Sequence, residues 1–239
     1  MITFSNKYRS EQKEIMDSLD FRGTEMQNLL KDLKTVNKWL GGNSITIDGL
    51  KKLLITCSKS EKITILDIGC GDGELLRKCA DFGRKNNYNF ELIGVDFNDN
   101  ILQFAKAQSE EYLNIEFINV DVFSEKKLIP NCDIALCTLF LHHFNDVKIE
   151  AILNALLTRS RIGVLVNDLE RNWVAFNLFK VVSQLILKTK TANHDGLVSI
   201  ARGFKRQELV RISGKIPNQK SKIHWRWAYR FQWILKKEL

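Results

Sequence analysis

A glycine-spaced turn near residue 70 is the segment of this chain best suited to ligand binding. An apolar run from Ile63 ends at Asp67, and glycines follow at alternate positions, Gly69, Gly71 and Gly73. Glycine has no Cβ, so the backbone can adopt positive φ there and approach a ligand closely. Dinucleotide-binding turns read G-x-G-x-x-G, whereas the third glycine here comes one residue early and Glu74 replaces the expected glycine. The spacing therefore disfavours a dehydrogenase.

Further motifs follow this turn in a fixed order. Phe90–Asp96 and Ile115–Val122 are predicted strands, with Asp96 at the end of one and Asp121 near the end of the other. Counting the apolar run from Ile63 as the first strand, the fourth predicted strand is Cys132–Cys137. It leads into the apolar segment that contains His142 and His143. Together with the turn at Asp67, this series resembles the class I S-adenosylmethionine-dependent methyltransferases over about residues 60 to 170.

The resemblance implies S-adenosylmethionine as cofactor and S-adenosylhomocysteine (SAH) as product. It assigns Asp96 to the ribose hydroxyls and Asp121 to the adenine amino group. The full set of cofactor-binding residues that it implies is Asp67, Gly69, Cys70, Gly71, Gly73, Asp96, Phe97, Asp121, Val122, Thr138 and Leu139. Considered singly, each of these acids has an alternative interpretation as a solvated residue at the end of a strand.

Histidines are the candidate catalytic residues. A sulfonium methyl group is already electrophilic, so alignment supplies most of the rate, but a hydroxyl acceptor benefits from a general base. His142 and His143 follow the fourth strand, whose carboxyl end faces the cofactor, and His194 lies in a predicted polar turn beside Asp195. We expect these three to line the acceptor pocket, with His143 or His194 as the base. His224 is expected to be structural or exposed.

The alternation of strands and helices predicts an α/β fold. We expect a Rossmann-like, doubly wound, seven-stranded sheet with an antiparallel last strand, an N-terminal helical cap over residues 1–60, and a core over 61–239. The cap should contain helices over Gln12–Ser18, Gly23–Trp39 and Ile47–Thr56, the last capped by Asp48.

Two segments after the fifth predicted strand, Arg161–Asn167, complete the expected fold. A helical insertion at about residues 170–204 contains the apolar helix Asn172–Thr189, which either packs in the core or covers an apolar substrate. The period-two pattern of Ile223–Leu235 predicts a terminal hairpin of half-buried strands, with its charges on the solvated side. An aromatic and basic RNA platform is the alternative for this hairpin.

Composition favours a single cytoplasmic enzyme domain. The 239 residues include five cysteines without paired spacing, which indicates reduced thiols and no structural zinc; we expect no metal site. No apolar run reaches membrane-spanning length. The net charge of +8 raises the question of nucleic acid, but most basic residues scatter along the chain. The sequence does not determine the oligomeric state, and a homodimer is one of the alternatives.

The expected partner is a small molecule. His194–Gly196, Arg202–Phe204 and Val166–Leu169 with Arg171 resemble, more loosely, bacterial methyltransferases of aromatic and polyketide-type pathways. The expected reaction is O-methylation of a small, partly apolar molecule. The alternatives are an RNA methyltransferase, disfavoured because Cys137–Phe140 is not the Asn/Asp-Pro-Pro-aromatic signature, and a non-catalytic cofactor-binding partner subunit.

Overall fold

The architecture is a mixed seven-stranded sheet between layers of helices. The computed structural model describes residues 2–18, 20–124 and 128–238. Within them the strand order is β3-β2-β1-β4-β5-β7-β6. The strands are β1 (Lys62–Ile68), β2 (Asn89–Asp96), β3 (Ile115–Asn119), β4 (Cys132–Thr138), β5 (Ser160–Leu169), β6 (Gln219–Arg226) and β7 (Arg230–Lys237). This confirms the predicted fold class.

The sheet reverses its winding direction between β1 and β4. β1 pairs in parallel with β2 on one side and with β4 on the other, and β4 pairs in parallel with β5. β7 runs antiparallel to both β5 and β6, as predicted for the last strand. Because the carboxyl ends of β1, β2 and β4 meet at one edge, the loops that follow them lie together there. Ligands bind at this edge, where the strand order reverses, in sheets of this type.

Helices cover both faces of the sheet. They are α1 (Gly23–Trp39), α2 (Gly42–Leu54), α3 (Glu74–Asn86), α4 (Asp99–Gln108), α5 (Asp146–Arg159), α6 (Trp173–Ile186), α7 (Lys190–Arg202) and α8 (Arg206–Ser213). Leucines of α2 share one buried cluster with β1 and α3, whereas α5 and α8 belong to the cluster on the other face. Among the described helices, none is both long and apolar enough to cross a bilayer.

The N-terminal helices differ from the prediction in two places. The predicted helix Gln12–Ser18 is reduced to one 3₁₀ turn at Ile15–Asp17. The N–H groups of Ile15 and Met16 donate to the Asp195 carboxylate at 2.8 and 3.0 Å, which replaces helical hydrogen bonding. The helix predicted to start at Ile47 instead begins at Gly42, after Gly41 at φ 66°. Asp48 is therefore not a cap; it forms an ion pair with Lys52 at 3.0 Å.

The later segments also show differences. β3 ends at Asn119, so Asp121 lies in the following loop. His194 lies within α7 and not in a polar turn, because the Thr189 hydroxyl caps this helix by accepting from the Ala192 N–H at 3.1 Å.

The terminal hairpin is confirmed, but β7 is not half-buried. It lies between β5 and β6 with helices on both faces, so both sides of it are covered. Arg230, predicted to lie on the solvated side, is 2% exposed. The period-two pattern predicted alternating burial in both strands. Only the edge strand β6 shows it, over most of its length.

Candidate functional site

The glycine turn joins β1 to α3 at the carboxyl edge of the sheet. Gly69, Gly71 and Gly73 all adopt positive φ, at 69°, 54° and 73°. A Cβ on Gly69 would lie 2.3 Å from the Phe140 ring, whereas one on Gly71 would meet nothing within 4 Å. The Gly71 N–H donates to the Asp96 carboxylate at 3.1 Å, which ties the turn to the end of β2. The backbone at Gly71 is thus open toward a ligand.

Two carboxylates, the buried Asp67 and the partly buried Asp96, flank this turn. Asp67 is 2% exposed, and its Oδ1 has no hydrogen-bond partner among the described residues. Burial first, and then the neighbouring Asp96, raise the pKa of Asp67 well above its usual value. Burial also raises the pKa of Asp96, although N–H groups of Asn98 and Gly71 oppose the shift. A buried, unpaired carboxylate oxygen at a cavity wall fits a ligand that presents a cation or an N–H group.

A cavity of about 430 Å³ lies on the β2 and β3 side of the turn; we call it the cofactor cavity. Its lining includes the predicted residues Asp96, Phe97, Asp121 and Val122. The Asp121 carboxylate accepts the Phe123 N–H at 2.9 Å, and this hydrogen bond is the main reason why its pKa is lowered. An ionised carboxylate here can accept from an amino group.

A second cavity, of about 210 Å³, lies on the other side of the turn; we call it the acceptor cavity. Its lining includes Asp67, Cys70 and Thr138. The lining residues common to both cavities are Met16, Gly69, Gly71, Leu139 and His143. Burial raises the pKa of the Cys70 thiol strongly, which disfavours the reactive thiolate, and the side chain fills space beside the turn. The two cavities therefore meet at the glycine turn and His143.

Ten of the eleven predicted cofactor residues line one or both of these cavities. Gly73 is the exception, because it caps the start of α3 and its Cβ position lies 2.7 Å from the Phe117 ring. The glycine is required there by packing and by the positive φ.

His142 is enclosed between two carboxylates. Its Nδ1 lies 2.7 Å from Asp168 Oδ1 and its Nε2 lies 3.2 Å from Glu14 Oε1. The imidazole is only 2% exposed. Burial by itself would lower the pKa of His142, but the two carboxylates outweigh it and raise the pKa to about 9. His142 is therefore a protonated donor to Asp168 and Glu14 near neutral pH.

His143 has a different environment from its neighbour. Its Nδ1 lies 3.2 Å from a carboxylate oxygen of Asp17, and its Nε2 lies 4.0 Å from Glu14 Oε1. The imidazole is partly exposed and lines both cavities. The Asp17 contact at Nδ1 orients the ring, as carboxylates do for histidine bases. His143 is thus the histidine best placed to meet a group between the two cavities.

The other two histidines lie apart from this cluster. The His194 side chain is 37% exposed and pairs with Asp195, Nδ1 to Oδ1, at 2.8 Å. Among the described residues, His194 does not contribute to the lining of the acceptor or cofactor cavity, although Gly196 and Ser199 of the same helix do line the acceptor cavity. His224 is exposed on β6, as predicted.

Glu14, His142 and His143 also have the composition of a metal site. One donor atom from each lies within 4.8 Å of the others. In this arrangement Glu14 already accepts from His142 and from the Ser199 hydroxyl, the latter at 2.7 Å. The expectation of no metal stays a prediction.

Sequence analysis missed the acidic partners of these histidines. The sequence patterns place Glu14 and Asp17 only in a predicted helix, and Asp168 only in a short motif. The contact between Glu14 and His142 spans 128 positions in the chain, and the one between Asp17 and His143 spans 126. The signal that could have drawn attention to Asp168 is its position at the end of β5, at the ligand-binding edge.

The central part of the chain matches a known protein family. Residues 65–162 match the family described as methyltransferase domain. The match contains the glycine turn, Asp96, Asp121, and both His142 and His143.

Curated relatives align with part of the chain. A ubiquinone biosynthesis O-methyltransferase from Bartonella quintana (strain Toulouse) is 28% identical over 159 residues, 65% of this chain and 60% of the relative. Its counterpart from Rhodopseudomonas palustris (strain TIE-1) is 30% identical over 129 residues, 54% of this chain and 48% of the relative. The chain thus spans about half to three-fifths of the length of these relatives.

Solved structures show the same fold at low sequence identity. A plantazolicin methyltransferase in complex with SAH superposes with a TM-score of 0.64 at 15% identity, covering 90% of this chain and 94% of the other. Magnesium protoporphyrin IX methyltransferase from Synechocystis PCC 6803 with bound SAH gives 0.57 at 16% identity, covering 85% and 87%.

Proposed function

We propose that this chain, which contains a methyltransferase domain within the class I methyltransferase fold, methylates a hydroxyl oxygen of a small, partly apolar molecule with S-adenosylmethionine as the donor. The observation that carries the proposal is the meeting of two cavities at the glycine turn and His143. Donor and acceptor can then approach each other from opposite sides of one histidine. The O-methyltransferase names of the curated relatives support a hydroxyl acceptor.

The donor side of the site is built for S-adenosylmethionine. The open backbone at Gly71 admits close approach, and Asp96 offers carboxylate oxygens to the ribose hydroxyls. Asp121 accepts from the adenine amino group, and Phe97 and Val122 provide apolar wall. Asp67 lines the acceptor cavity beside the glycine turn, where its unpaired oxygen suits a positively charged donor that reaches this junction; the donor's sulfonium group would supply an electrophilic methyl when bound.

The acceptor side contains the base. We assign this role to His143, which lines both cavities. Its Nδ1 faces Asp17 and its Nε2 is directed toward Glu14. His143 takes the hydroxyl proton as the new oxygen–carbon bond forms and the sulfur–carbon bond breaks. Asp17 stabilises the resulting imidazolium.

His142 acts as a positioning residue in this proposal. Its protonated ring donates to Asp168 and Glu14 and is not free to accept a proton. It fixes the Glu14 carboxylate beside His143. His194 remains a less favoured base, since its ring pairs with Asp195 outside the linings described above.

A small molecule is the proposed partner and nucleic acid is not; a homodimer remains an alternative to a monomer. A cytoplasmic location is supported by the cysteines, which are all free thiols, four of them buried.

The proposal is tested with methyl-labelled S-adenosylmethionine and catechol as a simple hydroxyl acceptor. We expect label in the methylated phenol, and calorimetry should show that Asp96→Ala binds S-adenosylmethionine about tenfold more weakly or worse, as expected for loss of hydrogen bonds to a charged group. Asp99→Ala, an exposed acid at the start of α4, is the matched control. Tight cofactor binding without transfer to any hydroxyl acceptor would instead indicate a non-catalytic partner subunit.

A further inference from the structure

One wall of the acceptor cavity contains a buried arginine. Arg230, the first residue of β7, is 2% exposed and contributes to the lining of this cavity. A guanidinium group has five N–H donors. Among the described residues, its Nη2 donates to the Asn37 side-chain oxygen at 3.0 Å, whereas Nε and Nη1 have no hydrogen-bond partner. Most donors of this cation therefore lack an acceptor in the described part of the chain.

The positive charge of Arg230 is also poorly compensated. Burial lowers the pKa of Arg230 to about 10, and the charge of Asp168 opposes this shift, so the guanidinium is protonated at neutral pH. Asp168 already accepts from His142 Nδ1 at 2.7 Å and from the Leu169 N–H at 2.8 Å. A buried cation without a paired anion is costly. An anionic ligand that reaches Arg230 would remove this cost.

The surrounding chain leaves room for this guanidinium. A Cβ on Gly42, the first residue of α2, would lie 3.1 Å from Nη2 of Arg230 and 2.7 Å from the Asn37 side-chain oxygen. The Asn167 side chain donates to the Gly42 carbonyl at 2.8 Å and so fixes this glycine against β5. Asn37 itself lines the acceptor cavity. The end of α1, the start of α2 and β7 thus hold Arg230 at the cavity wall.

The position of Arg230 points to the acceptor and not to the donor. In the strand order, β7 lies three positions from β1, about 14 Å away at about 4.8 Å per strand. Among the residues that the structure describes, Arg230 belongs to the lining of the acceptor cavity and not to that of the cofactor cavity. His143 lines the same acceptor cavity. A molecule in this cavity can therefore contact both His143 and Arg230.

A carboxylate is the acceptor group that matches this site best. A guanidinium is planar and presents parallel N–H donors, which fit the two oxygens of a carboxylate. A neutral carbonyl or hydroxyl group could accept from these donors but would leave the charge of Arg230 uncompensated.

We propose that Arg230 binds a carboxylate of the acceptor, so that the substrate is a hydroxy acid whose carboxylate lies at Arg230 while its hydroxyl lies beside His143. This inference rests on the proposed function for the position of the hydroxyl. It goes beyond that function by naming an anionic group that the substrate carries and the residue that recognises it.

Matched acids and amides measure the contribution of the charge. Calorimetry on the full chain with SAH present compares 3,4-dihydroxybenzoate and 3-(3,4-dihydroxyphenyl)propanoate with their primary amides, which keep the shape and lose the charge. We expect at least one acid to bind about tenfold more tightly than its amide, or better, because hydrogen bonds to charged groups are stronger. In the methylation assay this acid should have the lower KM at similar kcat.

Three variants assign this preference to Arg230. Arg230→Met removes the charge with little change in length and should abolish the preference for the acid. Arg230→Lys keeps the charge without the planar fork and should retain part of the preference. Arg84→Met removes an arginine of α3 that is 72% exposed, and as the control it should retain all of it.

Thermal unfolding without ligand separates this role from a structural one. Arg230→Met removes a buried charge without an ion-pair partner, so we expect its unfolding temperature to equal or exceed that of the wild type. A lower unfolding temperature together with an unchanged preference for the acid would identify Arg230 as a structural residue and overturn the proposal.

The outcomes also separate this inference from the proposed function. A preference for the acid that Arg230→Met removes and Arg84→Met retains supports the carboxylate site, even if no acid is methylated. Equal affinities of acid and amide for the wild type overturn the site and leave the methyltransferase function intact, and this comparison requires no variant. Loss of SAH affinity in Arg230→Met with the acid preference retained would assign Arg230 to the carboxylate of the donor and would also overturn the proposal.

Discussion

His142 and His143 are adjacent in sequence and have opposite properties in the structure. His142 is enclosed by Asp168 and Glu14, whereas His143 borders both cavities and contacts Asp17. A protonated, fully bonded imidazole cannot accept a proton, while an oriented imidazole at a cavity wall can. The difference arises from which carboxylates the fold brings to each ring, and on this basis we propose the second of the pair as the base.

Replacing the base should slow chemistry and spare donor binding. We expect His143→Ala to lower kcat by about 10²- to 10⁴-fold, the usual contribution of a general base, with SAH affinity nearly unchanged in calorimetry. His224→Ala, on the exposed edge strand, is the control. A larger loss in His194→Ala than in His143→Ala would contradict the assignment.

The buried His142 predicts a pH dependence of stability. Its folded-state pKa of about 9 exceeds the unfolded value of about 6.5, so its contribution is complete below about pH 6.5 and is lost as pH rises through about 9. The shift corresponds to about 3 kcal/mol. We therefore expect the free energy of unfolding to fall less between pH 6.5 and pH 9 in His142→Gln than in the wild type. Chemical denaturation at the two pH values measures this difference.

His224→Gln provides a comparison, because burial and nearby cations lower the pKa of His224 and its titration falls below this range. This variant should lose as much unfolding free energy as the wild type between pH 6.5 and 9. If His142→Gln loses as much unfolding free energy as the wild type over this pH range, His142 is not the source of the pH dependence.

At the scale of elements, the segment of residues 9–17 lies across the acceptor cavity. Arg9 donates to the His142 carbonyl at 2.8 Å, Ser10 donates to the Ala201 carbonyl at 3.0 Å, and Asp195 accepts from the backbone at residues 15 and 16. This segment supplies Glu14 and Asp17 to the histidines. We propose that residues 2–39 act as the cap over the acceptor, while α2 packs with the sheet.

Removing residues 1–18 should separate turnover from cofactor binding. Both acids that contact His143 are lost, so we expect acceptor turnover to fall at least about 10²-fold, with a smaller loss of SAH affinity. Parallel turnover and calorimetric measurements test this, with thermal unfolding as a check on the core. Equal losses in both quantities would indicate a purely structural segment.

The sequence predicts the donor half of the site much better than the acceptor half. Strand periodicity and the glycine spacing are local signals, so Asp67, Asp96 and the carboxyl edge of the sheet follow from short segments. Glu14 and Asp17 reach the site through contacts that no local pattern encodes. The buried state of β7 was also missed, because it depends on the neighbours of that strand and not on its own alternation.

At the scale of the whole molecule, several of the cations behind the net charge of +8 are paired with acids or buried. Arg226 pairs with Asp48, Lys215 pairs with Glu150, and Arg230 is buried. Neutralised and buried cations contribute little to phosphate binding. We propose the acceptor cavity as the surface that binds the substrate and a small molecule as that substrate.

The most direct test is the fate of a labelled methyl group. Purified protein with methyl-labelled S-adenosylmethionine is incubated with a cell extract separated into RNA, protein, lipid and small-molecule fractions. We expect label in the organic-soluble lipid or small-molecule fraction, and its loss with Asp96→Ala and with His143→Ala. Label that enters RNA or protein, or that persists in both variants, would contradict the account.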